Sequence, residues 1–147
     1  MKNSSILEIS GLNQYFGGLK AVSNFNLTSQ YHELVGLIGP NGAGKTTVFN
    51  LITGMYAPSS GSIKFLGQEI SNLKPHQIAQ RGITRTFQNI RLFSSLSVLD
   101  NVRIAYHYKI NYGIAQAIFH TRKFGHTEHL IREKSFEVLK IFGLENL

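Results

Sequence analysis

Eight residues, Gly39 to Thr46, carry the clearest chemistry in this chain, because they fit the pattern Gly-x-x-x-x-Gly-Lys-Thr. The glycines at 39, 42 and 44 keep Cβ atoms off the backbone, so successive N–H groups can turn inward and hold phosphate oxygens. A helix that begins at the end of the loop adds a dipole that favours anions. The pattern therefore predicts a phosphate-binding loop.

The side chains at the end of this loop have predicted roles toward a nucleotide. Lys45 is expected to reach the β- and γ-phosphates, and the hydroxyl of Thr46 is expected to bind Mg²⁺. The loop amides, together with Thr47, are expected to hold the remaining phosphate oxygens. The predicted contact residues of the loop are Gly39, Pro40, Asn41, Gly42, Ala43, Gly44, Lys45, Thr46 and Thr47.

Such a loop needs a strand before it and a helix after it, and the flanking residues predict both. An apolar run ahead of the loop predicts a buried strand, formed by Leu34, Val35, Leu37 and Ile38. Behind the loop, Val48, Leu51 and Ile52 follow at helical spacing. Gly54 is expected to close this helix.

Antiparallel strands are predicted ahead of the loop. The first bends at Gly11 and ends near Phe16, a Gly-Gly turn follows, and Phe25 and Leu27 alternate with polar residues in the second. At a strand end, Phe16 could present an aromatic face to an adenine. The alternative is that Phe16 belongs to the hydrophobic core.

Three short elements are predicted after the loop helix. Ile63 and Phe65 alternate with a lysine in a strand, and Gly67 turns the chain into Gln68, Glu69 and Ile70. Pro75 and Gly82 bracket a short helix. Residues 83–87 are β-branched and aromatic, which predicts another strand. Gln88 follows, either as an exposed loop glutamine or as a functional residue.

From Ser97 onward the pattern is helical. Ser97 and Asp100 form a capping-box pattern ahead of a helix that carries Val98, Val102 and Ala105 on one face. A later helix is expected to place Ile131, Val138, Leu139 and Phe142 on one face until Gly143. Basic residues in this region fit either a solvated helix face or docking to a partner or to anionic head groups.

Composition excludes several classes of protein. The chain has 147 residues, 42% hydrophobic residues, a formal charge of +7 and no cysteine, which indicates about one globular domain without disulfides or thiolate metal sites. No apolar run approaches a membrane span and no signal peptide is seen, so the chain is expected to be neither secreted nor membrane-spanning. His126 and His129 are three positions apart, but with no third ligand and no cysteine a metal site there is not expected.

The combination of the loop with three further motifs resembles the nucleotide-binding subunits of ABC transporters. These motifs are Ile52-Thr-Gly54, Pro58-x-x-Gly61 and Arg85-Thr-Phe-Gln88. The chain looks closest to the ATP-binding subunits of branched-chain amino-acid importers. The segments that point to this group are Phe16-Gly-Gly-Leu-Lys-Ala-Val22, Gln88-Asn-Ile-Arg-Leu-Phe93 and Ser97-Val-Leu-Asp-Asn-Val102.

The resemblance implies an α/β fold, namely the P-loop NTPase core of an ABC ATPase, truncated, with an N-terminal antiparallel β subdomain and the start of a helical subdomain. The expected division is residues 1–91 for the β subdomain and core, and residues 92–147 for the start of the helical subdomain. Phe16 falls on the aromatic that stacks on adenine, with Ala21 beside it. Gln88 falls on the glutamine that contacts Mg²⁺ and the attacking water, so Lys45 and Gln88 are the expected catalytic residues.

The resemblance also implies ATP and Mg²⁺ as cofactors, and partners at a membrane. The expected partners are transmembrane permease subunits, a second ATP-binding subunit and, indirectly, a periplasmic binding protein, with no nucleic acid. The expected location is peripheral, on the cytoplasmic face of the inner membrane. The family's Leu-Ser-Gly-Gly signature, its strand ending in Asp-Glu and its switch histidine do not occur in these 147 residues. Rapid ATP hydrolysis by this chain alone is therefore not expected.

Three alternatives compete with this interpretation. A GTPase would need an Asn-Lys-x-Asp guanine motif, which does not occur in the sequence. A small-molecule kinase with a phosphate-binding loop would need an acceptor-binding lid where this chain has a turn, a short helix and Gln88. A non-catalytic nucleotide-binding fragment is the third alternative.

Overall fold

The computed structural model describes residues 5–87, 92–106, 118–119 and 121–144. The chain divides into two compact units, Met1–Thr86 and Phe87–Leu147. The first unit contains an antiparallel sheet with two helices, and the described part of the second contains two further helices. The expected boundary between residues 91 and 92 stays a prediction.

The sheet of the first unit has four strands in the order β2-β1-β3-β4. All three neighbouring pairs are antiparallel, as the sequence predicts for the strands ahead of the loop. β1 and β2 form a hairpin, and β3 returns to the other edge of β1 after the loop and its helix. The strands are β1 Ser5–Phe16, β2 Leu19–Gln30, β3 Ser60–Phe65 and β4 Gln68–Glu69.

The predicted bend at Gly11 is confirmed. Pairing with β2 shifts register between Ile9 and Leu12, and Gly11 has a φ of +57°, which glycine adopts without steric cost. The amide of Gly11 donates a hydrogen bond of 2.8 Å to the side chain of Asn26. The bulge re-aims the last residues of β1, which include Phe16.

The core of the first unit lies between one face of the sheet and two helices, α1 (Lys45–Ile52) and α2 (Pro75–Gln80). α1 contributes Val48 and Leu51 and α2 contributes Ile78, all three buried. The sheet and the chain that follows it contribute Ile9, Leu12, Val22, Ile63 and Ile70. Burial of these side chains fixes α1 on the sheet and thereby fixes the loop at its N-terminus.

Two strands expected from the sequence are absent from the described residues. Residues 33–40 and 83–87 have no assigned strand, and the side chains of Leu34 and Ile38 are 99% and 96% exposed. The prediction of a buried strand before the loop is therefore wrong for this structure. A strand needs a hydrogen-bonded neighbour, and no described segment pairs with either stretch.

The described part of the second unit contains α3 (Val98–Ala105) and α4 (Arg122–Ile141). The predicted cap is confirmed, because Ser97 Oγ accepts a hydrogen bond of 3.1 Å from the Asp100 amide. The hydrogen bond from the Ser97 hydroxyl to the Asp100 carboxylate lowers the pKa of Asp100, and Arg103 adds to this effect. Arg103 links the helices through ion pairs of 2.8 Å to Asp100 and 2.6 Å to Glu128.

The buried face of α4 differs in part from the predicted one. Ile131 and Leu139 are buried as expected, together with Ser135, whose hydroxyl donates 2.8 Å to the Ile131 carbonyl. Phe142 is exposed, because the helix ends at Ile141 and Phe142 is its C-cap. Among the helices in the described ranges, none is both long and apolar enough to span a membrane.

Candidate phosphate-binding site

Two glycines in left-handed conformations shape the loop at residues 39–46. Gly42 has a φ of +83° and Gly44 a φ of +80°, a region that residues with a Cβ rarely adopt. The amide of Ala43 donates to the carbonyl of Pro40 at 3.2 Å, which closes a turn inside the loop. Gly44 then serves as the N-cap of α1.

Gly44 also lies directly against the hairpin. A Cβ atom at Gly44 would be only 2.3 Å from the carbonyl oxygen of Ala21 in β2, well inside van der Waals contact. Position 44 therefore requires glycine for two reasons, its backbone conformation and this close approach. The approach also places Ala21 beside the loop.

The N-terminus of α1 offers unpaired donors. The first helical hydrogen bond in this turn runs from the Val48 amide to the Gly44 carbonyl at 2.9 Å, so the amides of residues 45–47 precede the helical pattern. No acidic residue occupies the first turn. These amides and the helix dipole provide the positive end that an anion needs.

The ammonium group of Lys45 lies back across the loop. Its Nζ donates to the carbonyl oxygens of Gly39 at 2.5 Å and Pro40 at 2.6 Å. Lys45 is half-buried, and its hydrogen bonds to the two carbonyls are exposed, so a ligand can reach the ammonium group from solvent. These two carbonyl oxygens take two of the three N–H donors of the ammonium, so a phosphate competes with them only if it binds more than the third donor.

A cleft of about 340 Å³ brings the predicted residues together. Its walls combine the hairpin end with the loop and the first turn of α1. The lining residues are Phe16, Leu19, Lys20, Ala21 and residues 41–47. Gly39 and Pro40 join this set through their contacts with Lys45. Gln88 lies outside the described residues.

Phe16 is part of the cleft wall rather than of the core. Its side chain is 42% exposed, so the alternative of a core phenylalanine is wrong for this structure. Its ring meets the ring of Tyr56 edge-to-face, with centroids 5.3 Å apart and planes at 75°. Sequence reasoning missed Tyr56, because no periodic pattern connects residues so far apart in the chain.

A second contact that sequence reasoning missed lies behind the loop. Arg85 Nη1 donates to Asn50 Oδ1 at 2.6 Å, which ties the segment after α2 to α1. A larger groove of about 580 Å³ lies nearby, lined by apolar residues of the hairpin, α1 and residues 35–37 and 83–86. The groove includes neither the loop turn nor Lys45, whereas both line the smaller cleft.

The described residues hold no cluster of three or more histidine, cysteine or acidic side chains that could bind a metal. His129 instead faces Glu133 at 3.5 Å on the exposed side of α4. The one metal site that the sequence predicts is the Mg²⁺ site at Thr46, whose side chain lines the cleft.

Comparison with known proteins gives consistent matches. The family model described as ABC transporter matches residues 22–140. The branched-chain amino acid transport ATP-binding protein BraF of Pseudomonas aeruginosa is 47% identical over 84% of this chain and 48% of its own length. LivG of Escherichia coli K12, with the same description, is 41% identical over 95% of this chain and 54% of its own.

Solved structures match the fold as well. A nucleotide-free ATP-binding cassette from an ABC transporter has a TM-score of 0.73 and 29% identity over 97% of this chain and 56% of that chain. The ADP conformation of the ATP-binding cassette MJ1267 has a TM-score of 0.74 with the same identity and coverage. The chain spans about half the length of the relatives it matches.

Proposed function

The chain belongs to the ABC transporter family, and from that premise we propose that its cleft binds ATP with Mg²⁺ to energise transport. We propose import of branched-chain amino acids as the process it serves, because the two curated relatives compared above carry that description. The family assignment and the α/β fold agree with the interpretation from the sequence. The substrate, the partners and hydrolysis by the whole protein remain part of the proposal.

The observation that carries the proposal is one cleft that joins an aromatic ring to a phosphate-binding loop. Phe16 lines this cleft together with Lys45 and the other residues of the first turn of α1. A nucleoside triphosphate has the same division into a flat base and an anionic chain. The base would stack on Phe16 beside Ala21, while loop amides, Lys45 and Thr47 would hold phosphate oxygens.

The residues present fit a magnesium ion. Thr46 offers a hard hydroxyl oxygen at the phosphate end of the cleft, and Mg²⁺ typically takes few protein ligands while keeping several waters. Gln88 is the proposed second ligand. When bound, the ion would neutralise charge on the β- and γ-phosphates. Lys45 would stabilise the same charge, and Gln88 would orient the attacking water.

We propose that the protein works at a membrane without crossing it. Its proposed partners are transmembrane permease subunits, a second ATP-binding subunit and, indirectly, a periplasmic binding protein. The proposed location is the cytoplasmic face of the inner membrane. Fractionation of cells with and without the permease genes tests this location. Equal membrane recovery in both strains would instead indicate direct binding to lipid.

A titration with a fluorescent ATP analogue tests the assignment of the cleft. Lys45→Ala is expected to weaken binding roughly tenfold to a hundredfold, because a charge-assisted contact to phosphate is lost. Lys64→Ala is the matched control, since Lys64 is an exposed lysine on β3 that does not line the cleft. Unchanged affinity in Lys45→Ala would contradict the proposal.

Binding and hydrolysis are separable in a protein that consists of residues 1–147. These residues supply the proposed phosphate and Mg²⁺ contacts, whereas the family's signature and its Asp-Glu strand do not occur in their sequence. We expect this protein to bind nucleotide. We do not expect it to hydrolyse ATP in a Lys45-dependent way at about 1 to 100 per second, the range typical of phosphoryl transfer by kinases. A phosphate-release assay with Lys45→Ala as the contamination control measures this.

A further inference from the structure

Tyr56 supports the aromatic wall of the cleft from outside. Its ring centroid lies 5.3 Å from that of Phe16, in the edge-to-face geometry that aromatic pairs prefer. Phe16 lines the cleft, whereas Tyr56 is not among the residues that line it in the described part of the chain. Tyr56 can therefore act on a ligand in the cleft through its contact with Phe16.

The two rings differ in the packing of the chain beside them. Phe16 ends β1 next to the Gly17-Gly18 turn, and a Cβ atom built at either glycine would meet nothing within 4 Å. The space beside both glycines is therefore open, and the pairing of Phe16 with Leu19 across the turn fixes the phenylalanine backbone. The Phe16 ring, in a residue that is 42% exposed, has the Tyr56 ring as its aromatic neighbour.

Tyr56, by contrast, follows a packed turn. The carbonyl of Asn50 accepts hydrogen bonds from the amides of Met55 at 2.9 Å and Tyr56 at 3.4 Å. Gly54 just before them has a φ of +71°, and a Cβ atom there would lie 2.6 Å from the carbonyl oxygen of Leu73. These contacts attach the backbone of Tyr56 to the C-terminal end of α1.

The chain beyond Tyr56 is attached to β1. The amide of Ser59 donates to the carbonyl of Asn13 at 3.0 Å, and Ser59 Oγ accepts 3.1 Å from the Tyr15 amide. Residue 56 is therefore held between α1 on one side and the last residues of β1 on the other. Tyr56 therefore gives the Phe16 ring a neighbour whose backbone is attached on both sides.

We propose that Tyr56 is a positioning residue for a nucleobase: it holds the Phe16 ring so that a face of that ring stays open for stacking. With ring planes at 75°, Tyr56 can cover at most one face of Phe16, and the phenylalanine side chain remains 42% exposed. This inference rests on the proposed binding of ATP and adds a residue to that site. It requires no contact between Tyr56 and the nucleotide.

Pre-ordering of the ring has a measurable consequence. A ligand that stacks on a mobile ring must immobilise it, which weakens binding. Loss of the Tyr56 ring is therefore expected to weaken ATP binding about 2- to 10-fold, which is the change in affinity that the interaction energy of one aromatic pair produces. A ligand that has phosphates and no base is expected to bind unchanged.

The experiment compares Mg²⁺-ATP with Mg²⁺-tripolyphosphate by calorimetric titration of the same preparations. Tyr56→Ala is expected to lose 2- to 10-fold in ATP affinity and nothing in tripolyphosphate affinity. Tyr56→Phe keeps the ring and is expected to match the unsubstituted protein. Tyr31→Ala removes a comparably exposed tyrosine away from the cleft and should change neither affinity. In a Phe16→Ala background, Tyr56→Ala should have no further effect.

Unaltered tripolyphosphate binding also shows that each variant is folded. Three results would overturn the role of Tyr56 and leave the proposed function intact. They are equal weakening of ATP and tripolyphosphate binding in Tyr56→Ala, unchanged ATP affinity in that variant, and additive effects of Tyr56→Ala and Phe16→Ala. Failure of the unsubstituted protein to bind either ligand would overturn the proposed function, and this inference with it.

Discussion

Arg85 donates a hydrogen bond of 2.6 Å from Nη1 to Oδ1 of Asn50, so the segment between α2 and residue 88 is tied to the helix behind the phosphate-binding loop. The bond is partly buried and joins residues 35 positions apart. Because the donor is charged and the acceptor is a side-chain amide, the contact is stronger than a typical neutral hydrogen bond.

We expect this bond to couple the two side chains energetically. Arg85→Met and Asn50→Ala should each lower the free energy of unfolding, with a coupling of about 1 to 2 kcal/mol in a double-mutant cycle. Urea denaturation measures it. Arg81→Met is the control, because Arg81 is exposed and its Nη1 donates to the backbone carbonyl of Gln77, four positions away in α2. A coupling near zero would mean that the bond does not stabilise the fold.

The two left-handed glycines of the loop form a matched pair for a second prediction. Gly42→Ala introduces only backbone strain, about 1 to 2 kcal/mol, since a Cβ atom there meets nothing within 4 Å. Gly44→Ala adds a contact of 2.3 Å with the Ala21 carbonyl oxygen. We expect Gly44→Ala to lose more stability and more tripolyphosphate affinity than Gly42→Ala. Equal losses would show that the hairpin tolerates a displaced loop.

Glu69 gives the first unit a predictable response to acid. Burial raises the pKa of its carboxyl, but hydrogen bonds outweigh burial and hold the pKa below its usual value. A lowered pKa means that the carboxylate stabilises the fold above its unfolded-state pKa of about 4.3, and that this contribution is lost as pH falls through the folded-state pKa. The donors are the hydroxyls of Ser62 and Ser71 and the amides of Ile63 and Ser71.

Glu69→Gln should therefore lower the denaturation midpoint at pH 7 and flatten its fall between about pH 5 and pH 3. Ser62→Ala removes one hydrogen-bond donor and keeps the carboxylate of Glu69. It should therefore reduce the pH dependence of the denaturation midpoint by less than Glu69→Gln does. Chemical denaturation across this pH range provides the measurement. An acid response of Glu69→Gln identical to that of the unsubstituted protein would contradict the prediction.

The ion pairs of Arg103 predict a local effect in the second unit. Arg103 joins Asp100 of α3 to Glu128 of α4, and its side chain and that of Glu128 are only partly exposed. Arg103→Met should reduce the protection of α3 amides against hydrogen exchange by about 1 kcal/mol, a value that allows for solvent screening. Lys134→Met, at an exposed position of α4, should leave these amides unchanged. Equal loss of protection in both variants would exclude a specific role for the ion pairs.

Local signals in the sequence predicted local structure correctly. The loop and its helix, the bend at Gly11, the helix between Pro75 and Gly82 and the cap at Ser97 each depend on residues close together in the chain. In these cases the residue type itself fixes a backbone angle, removes a donor or supplies a capping oxygen. Tertiary contacts are not needed to specify them.

Predictions that required a partner elsewhere in the chain were less reliable. The apolar run at residues 34–38 has the composition of a buried strand, but no described strand pairs with it, and Leu34 and Ile38 are exposed. The contacts of Phe16 with Tyr56 and of Arg85 with Asn50 join distant positions whose residue types carry no periodic signal. The cleft could thus be predicted at its phosphate end, whereas the supports of its aromatic end could not.

The position of β1 in the sheet has a consequence for the order of folding. β1 pairs with β2 across a short turn, a hairpin of the kind that forms within about 1 to 10 microseconds. Its pairing with β3 joins Asn13 to Ser60, 47 positions away, and encloses the loop and α1 within that span. Such distant pairing forms more slowly, so the phosphate-binding site is completed late. A nucleotide should therefore slow unfolding of the finished domain without accelerating its refolding.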